Sequence, residues 1–301
     1  MIEGSSVDNR PTNAVKHACA TLGVNSSGAV PLHGRANAVY LLPQANAVLR
    51  LRLTRHNQEW EQRLAISVEV TRWLAEQGFP TVVPLPIDQP ISIDGWTATF
   101  WKYEVVQRSE AATTVVNLAE LLRQLHATPA PPIDLPETDP LGSLQTDLCN
   151  DNILNHEHRE WLSAQVDDIK RSYPRTPLPL DKGLIHGDAH AGNILHVVDD
   201  RSLLGDWDSV SRGPRVQDLV PTLHRVRHFE HPYAEWRRLC AAYGVDADIE
   251  HHPGVQLLQR ARELRSLAAY IRGAAQSDIR VELEKRLRTL MTGYPEAWTL
   301  V

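Results

Sequence analysis

Nowhere does the chain approach the roughly 20 consecutive apolar residues that a membrane-spanning helix needs. Nor does it hold a basic run able to track a phosphate backbone. The first shortage excludes a membrane protein of the helical kind. The second, with a formal net charge of -6, leaves nucleic acid an unexpected partner. Cysteine is scarce: Cys19, Cys149 and Cys240 lie far apart, form no C-x-x-C pair and read as reduced, mostly packed thiols. Met1 to Arg10 is polar and lacks the apolar core of a secretory leader, so a cytoplasmic protein is expected. Internal repeats and low-complexity tracts are absent. What is present is ordinary globular material, 301 residues with 42% hydrophobic and 23% charged, enough for one two-lobed domain or two closely packed ones.

The order of short and long apolar patterns suggests two regions. After a short helix over Thr12–Leu22, Val39–Leu42 and Ala47–Leu53 flank the turn residues Pro43–Asn46, which is a hairpin signal. Glu59–Gln77 has helical spacing and stops at Gly78 and Pro80. A turn at Asp94-Gly95 then leads into an alternating strand over Trp96–Val106. These elements predict a small antiparallel sheet with a helix packed on it. From Val115 the pattern becomes helical, with helices over Val115–His126 and within Asn155–Tyr173 separated by a proline-rich loop at Pro129–Pro140. Short strands and loops follow over Gly183–Asp206. Further helices are predicted over Val216–Arg227, Tyr233–Tyr243, Val255–Ala275 and Asp278–Met291. The expected boundary lies near Gln107. It gives an N-terminal lobe of residues 1–106, whose first 27 residues are tail and first helix, and a helical lobe of residues 107–301.

Chemistry concentrates in Leu184-Ile185-His186-Gly187-Asp188-Ala189-His190-Ala191-Gly192-Asn193-Ile194-Leu195 and, eleven residues later, Asp206-Trp207-Asp208. Two apolar runs hold two polar elements, and a strand–turn–strand between them would bring residues distant in sequence to one metal. Phosphoryl transfer asks a protein for positioning, for cancellation of triphosphate charge by a cation, and for a carboxylate to take the acceptor's proton. Asp188 suits the last role, and Asn193 and Asp206 offer the hard oxygen donors that Mg²⁺ prefers. Alternatively, His186, Asp188 and His190 could form a transition-metal site of a metal-dependent hydrolase.

His186-Gly187-Asp188, Asn193 and Asp206-Trp207-Asp208, followed by Gly213-Pro214 and Asp218-Leu219, resemble the motifs of aminoglycoside phosphotransferases. Leu121–Ala127, Gly34–Tyr40 and Trp73–Pro80 extend the resemblance over about Leu32 to Arg272. It implies an α+β, protein-kinase-like bilobal fold with a small antiparallel-sheet N-lobe and a mainly helical C-lobe. It also implies a small-molecule kinase that moves the γ-phosphoryl of ATP or GTP, with Mg²⁺, onto a hydroxyl of an antibiotic, sugar or amino alcohol. Asp188 would be the base, Asn193 and Asp206 the magnesium ligands, and His186 a support beneath the loop. Asp208 is either a second metal ligand or a structural acid. Backbone amides from Gly34 to Asn37 would cover the phosphates, and the Trp101–Glu104 linker, including Tyr103, would face the nucleotide base.

The resemblance breaks at the small-lobe lysine. No lysine lies on the third strand; Arg50 and Arg52 stand there on one face, and counting back from Trp73 favours Arg52. Ser67 falls where a helix glutamate is expected, so either Glu69 or Glu61 rebuilds the pairing or the nucleotide alone orients the arginine, and the two departures keep a catalytically impaired pseudokinase as an alternative. Asp218 is expected to cap a helix and anchor a loop. Val216 to the C-terminus carries eleven acids against twelve lysines and arginines, so no acidic surplus marks a polycation site. Arg262, Glu263 and Arg265 are expected either to face the acceptor pocket or to lie on a solvated helix face.

Overall fold

The computed structural model describes residues 10–34, 37–55, 57–107, 109–150, 153–198 and 201–300. Two compact units emerge. One takes the described residues of Met1–Arg108, Pro131–Leu135 and Asn193–Val210, the other those of Ser109–Ala130, Pro136–Gly192 and Ser211–Val301.

In the first unit, α1 (Arg10–Thr21) precedes β1 (Val30–Gly34), β2 (Asn37–Leu42) and β3 (Ala47–Leu53). Then come α2 (Gln58–Glu76), β4 (Ile91–Ile93) and β5 (Trp96–Lys102). The five strands form one antiparallel sheet in the order β1-β2-β3-β5-β4. Asn46, at φ 47°, closes the predicted β2–β3 turn, a left-handed backbone that asparagine tolerates. Alternation along β3 buries Ala47, Leu49 and Leu51 against Ala14, Val15, Ala18 and Cys19 of α1. Each large aliphatic side chain so buried stabilises the unit by about 1.5–3 kcal/mol. The same alternation turns Arg50 and Arg52 to the opposite face of the sheet. The α2 helix starts where Asn57 accepts bonds from the amides of Glu59 and Trp60, and Gly78 at φ +76° follows its end. The predicted Trp96–Val106 strand is shorter than expected. It stops at Lys102 because the Tyr103 amide leaves the ladder for the Asn46 carbonyl, and Val106 makes only an isolated bridge to Val197.

The second unit contains α3 (Ala111–Ala127), α4 (Leu144–Cys149), α5 (His156–Ser172) and β6 (Lys182–Ile185). The strands β7 (Ile194–His196) and β8 (Ser202–Leu204) belong to the first unit. After them the second unit resumes with β9 (Ser211–Pro214), α6 (Val220–His228), α7 (Tyr233–Tyr243), α8 (Pro253–Gly273) and α9 (Ser277–Thr292). Its core gathers Leu144, Leu162, Val166 and Ile169 against Leu264, Leu267, Ile271, Leu283 and Leu287. The helical spacing on α8 that gives this core its stripe leaves Arg262 and Arg265 off the stripe, partly exposed. The predicted Val216–Arg227 helix divides: a 3-10 turn over Arg215–Asp218 precedes α6, and Pro221 lies in the first turn of α6. Cys19 and Cys240 are buried and Cys149 is exposed. No helix among the described residues is long and apolar enough to cross a membrane.

Candidate active site

The β7–β8 hairpin brings the chain at Asn193 and at Asp206 to the same end. Ile194 pairs with Leu204, so the residue before β7 and those after β8 lie at one end of the hairpin. The Gly205 amide donates to the Asn193 carbonyl at 2.9 Å. A Cβ on Gly205 would fall 3.1 Å from Leu195 Cδ1 and 3.4 Å from Val82 Cγ1, which favours glycine there. Asp206 holds φ +60°, a left-handed conformation that a non-glycine residue keeps only where its surroundings impose it. One surrounding is Trp207, whose buried indole donates to Thr81 Oγ1 (2.9 Å) and to the Leu204 carbonyl (3.1 Å) and meets Phe79 edge-on. The Asp206 side chain is about half exposed (49%). Its Oδ1 accepts from Arg50, while Oδ2 has no protein partner among the described residues. A half-exposed carboxylate and, from the same hairpin end, an asparagine amide oxygen are hard donors of the kind that fits Mg²⁺.

Asp208 is the residue whose role sequence left open, and it is the partner of both arginines. Arg50 Nη1 donates to Asp208 Oδ1 at 2.7 Å, its Nη2 bonds Asp208 Oδ2 and reaches Asp206 Oδ1 at 3.1 Å, and Asn37 presents its amide oxygen 2.7 Å from Nη2 and 3.0 Å from Nε. Arg52 Nη1 meets Asp208 Oδ2 at 3.1 Å, and its guanidinium carbon lies 3.5 Å from the centroid of the Trp60 ring. Burial alone would lower the Arg50 pKa, yet the charges of Asp208 and Asp206 outweigh it and raise it. The glutamate question is thereby answered differently from either expectation. Ser67 is buried, Glu69 is exposed, and the acidic partner comes from the segment after β8 rather than from α2.

The second unit builds the loop that carries Asp188. β6 pairs with β9 and delivers the chain to His186, which is fully buried, and to Gly187 at φ +81°. Asp218, also fully buried, fastens this turn: Oδ2 accepts from the His186 amide (2.7 Å) and Oδ1 from the Gly187 amide (2.8 Å). His126 Nε2 lies 3.1 Å from Oδ2, and its Nδ1 is 2.8 Å from the Tyr243 hydroxyl. Asp218 is thus a loop anchor, as expected, but not a helix cap: α6 has no side-chain cap, because this carboxylate is spent on the loop.

Asp188 is 30% exposed, and its Oδ1 accepts from Arg262 Nη1 at 2.5 Å. Arg265 Nη1 reaches the Gly187 carbonyl at 3.4 Å. Burial by itself pushes the Asp188 carboxyl up, but the Arg262, Arg265 and His190 charges together hold it well below the usual carboxylate range. Neither α8 arginine contact was legible from sequence spacing, since Arg262 follows Asp188 by 74 positions.

Gly34 ends β1 opposite Ala38, while Arg35 and Ala36 of the proposed phosphate loop lie outside the described residues. Trp101 is buried within β5, its indole donating to Thr99, and the Tyr103 amide is committed to Asn46. His186, Asp188 and His190 do not assemble as a set of metal ligands among the described residues; His190 Nδ1 instead accepts from the Gly192 amide.

A sequence profile of the phosphotransferase enzyme family matches residues 28–277. No curated protein matches the chain by sequence. Among solved structures, a microcompartment-associated aminopropanol kinase superposes with a TM-score of 0.71 at 16% identity, covering 94% of this chain and 98% of that one. The amicoumacin kinase hAmiN, solved with AMP-PNP, Ca²⁺ and Ami, gives 0.70 at 11% identity over 96% and 95% of the two chains. The choline kinase LicA from Streptococcus pneumoniae gives 0.68 at 15% identity over 95% and 100%.

Proposed function

The chain belongs to the phosphotransferase enzyme family, and we propose that it transfers the γ-phosphoryl group of a nucleoside triphosphate to a hydroxyl of a small molecule. Asp188 acts as the base, and Asn193 and Asp206 hold Mg²⁺, which when bound would neutralise triphosphate charge. Arg50, backed by Asp208 and Asn37, supplies the cation that the family's lysine supplies elsewhere, and Arg52 lies beside it.

In this reading the acceptor hydroxyl oxygen forms a bond to the γ-phosphorus as the bond to the β-phosphate bridging oxygen breaks. The hydroxyl proton passes to an Asp188 carboxylate oxygen, and a phosphomonoester and a nucleoside diphosphate leave. Asp188 is strongly ionised, so it orients the hydroxyl from the start and takes the proton late. Asp218 keeps it in place by pinning the His186 and Gly187 amides.

The observation that carries the reading is the β7–β8 hairpin, which sets Asn193 and Asp206 at one end, with the arginine pair of β3 bonded to Asp206 and Asp208. The triphosphate analogue and divalent cation in the hAmiN structure support the same donor chemistry. ³¹P NMR of the protein with MgATP or MgGTP and an acceptor panel tests it. A new phosphomonoester resonance, matched by nucleoside diphosphate and abolished by EDTA or Asp206→Asn, is expected. Nucleotide bound but never consumed with any acceptor or water would favour the pseudokinase instead.

A further inference from the structure

We infer that the acceptor is an anion, a small hydroxylated molecule carrying a carboxylate or phosphate near its reacting hydroxyl, and that Arg262 and Arg265 of α8 recognise that group. The inference rests on the phosphotransferase reading, because it takes Asp188 as the residue the hydroxyl must reach.

A cavity lies beside the Asp188 loop. Gly187, Gln217, Leu258, Arg262 and Arg265 are among the residues that form it, and no carboxylate lines it. The two guanidiniums stand one turn apart on α8 and converge on one loop, Arg262 on the Asp188 carboxylate and Arg265 on the Gly187 carbonyl. The lining thus presents two guanidiniums, while the carboxylates of the loop lie outside it: Asp188 is paired with Arg262, and both Asp218 oxygens are taken by the His186 and Gly187 amides. Glu263, the acid between them in sequence, is engaged elsewhere: its Oε1 meets His228 Nε2 at 2.8 Å and Gln259 Nε2 at 3.0 Å. His224 adds no acid either, and its burial, reinforced by the Arg262 charge, keeps it neutral. Inside the cluster Arg262 Nε and the Gln217 side-chain oxygen are buried with no hydrogen-bond partner, so the site retains unmet polar capacity.

A cationic acceptor would enter this field against two guanidiniums and would have to displace Arg262 from the carboxylate it needs. An oxyanion does the reverse. A carboxylate or phosphate accepts paired N–H bonds from a guanidinium fork. Arg262 then exchanges its partner, from Asp188 to the substrate, and Asp188 Oδ1 is released to the hydroxyl. Binding of the right acceptor and exposure of the base become one event, which also guards the nucleotide against water.

Three probes sharing a three-carbon diol test this: D-glycerate, glycerol 3-phosphate and 3-amino-1,2-propanediol, each titrated calorimetrically into the full-length protein saturated with MgAMP-PNP. At least one oxyanion should bind about tenfold or more tightly than the amine, and the better of the two identifies the group as carboxylate or phosphate. Arg265→Gln should erase the preference and Arg265→Lys should restore much of it, with MgAMP-PNP affinity unchanged in both. In turnover with the preferred probe, Arg265→Gln should raise KM far more than it lowers kcat. Equal or tighter binding of the amine, or no binding of either oxyanion, would overturn the inference. Should Arg265→Gln not fold, the ranking of the three probes by the unaltered protein still decides. MgAMP-PNP binding, read in the same experiment, judges the phosphotransferase reading separately: its loss overturns that reading, whereas its presence with an amine preference overturns only the acceptor assignment.

Discussion

Replacing Asp218 by asparagine removes one oxygen and one charge from a fully buried group and changes nothing else in size. In the native loop each carboxylate oxygen takes one backbone amide, His186 at 2.7 Å and Gly187 at 2.8 Å, and His126 shares Oδ2. Asparagine offers a single acceptor oxygen, so one backbone N–H is left facing an NH₂ donor, at a cost of about 1–3 kcal/mol. The remaining bonds lose their charge assistance, adding roughly 0.5–1 kcal/mol each. The total is about 3 kcal/mol, which for a chain of 301 residues lowers Tm by roughly 5 °C. Activity should fall further than stability requires, because the released turn carries Asp188, and a displacement of about 1 Å at the reacting group costs on the order of 100-fold. Urea denaturation gives the first number, and kcat at a temperature where the variant is fully folded gives the second. A loss below about 1 kcal/mol with kcat within twofold of the parent would refute the claim that Asp218 holds the loop.

The arginines of β3 should separate in nucleotide affinity: Arg50→Gln is expected to weaken MgATP binding about tenfold or more, and Arg52→Gln about threefold or less, since Arg50 is the one bonded to Asp206, the proposed magnesium ligand. Calorimetry with both variants checks this, and the opposite ranking would return the phosphate contact to Arg52. For pH, the Asp188 carboxyl is held below its ordinary value of 3.8, so its contribution to stability is complete above that pH and is lost as pH falls through the lower folded value. Arg262→Gln removes the largest of the opposing charges and should move the acid limb of both Tm and kcat/KM upward in pH. Limbs that coincide with those of the parent would show that Arg262 does not set this ionisation.

The fold class was legible because its signals are local. The β2–β3 turn, the stop of α2 at Gly78 and the apolar stripe of α8 each follow from neighbouring residues, and each element is found within a few residues of its expected place. The α4 helix escaped notice because six residues give too short a period to stand out beside a proline-rich loop. β9, with Gly213-Pro214, looks like a turn and becomes a strand only through its pairing with β6. At the site, motif spacing brought Asn193 and Asp206 into view, since the hairpin joining them is short. Contacts between distant segments carried no such signal. Strand alternation puts Arg50 and Arg52 on one face but cannot rank them, and nothing local shows Asp208 reaching back to β3. Counting acids and bases over the helical segment likewise averaged away the pair on α8 that meets the Asp188 loop.

The central claim is that one carboxylate accepts the proton of an acceptor hydroxyl while other residues bind the nucleotide. Asp188→Asn tests it most directly, with phosphoryl transfer and MgATP affinity measured on the same folded protein. Transfer should fall by several orders of magnitude while affinity stays within about threefold of the parent. Transfer within tenfold of the parent, or a loss explained entirely by lost nucleotide binding, would contradict the account.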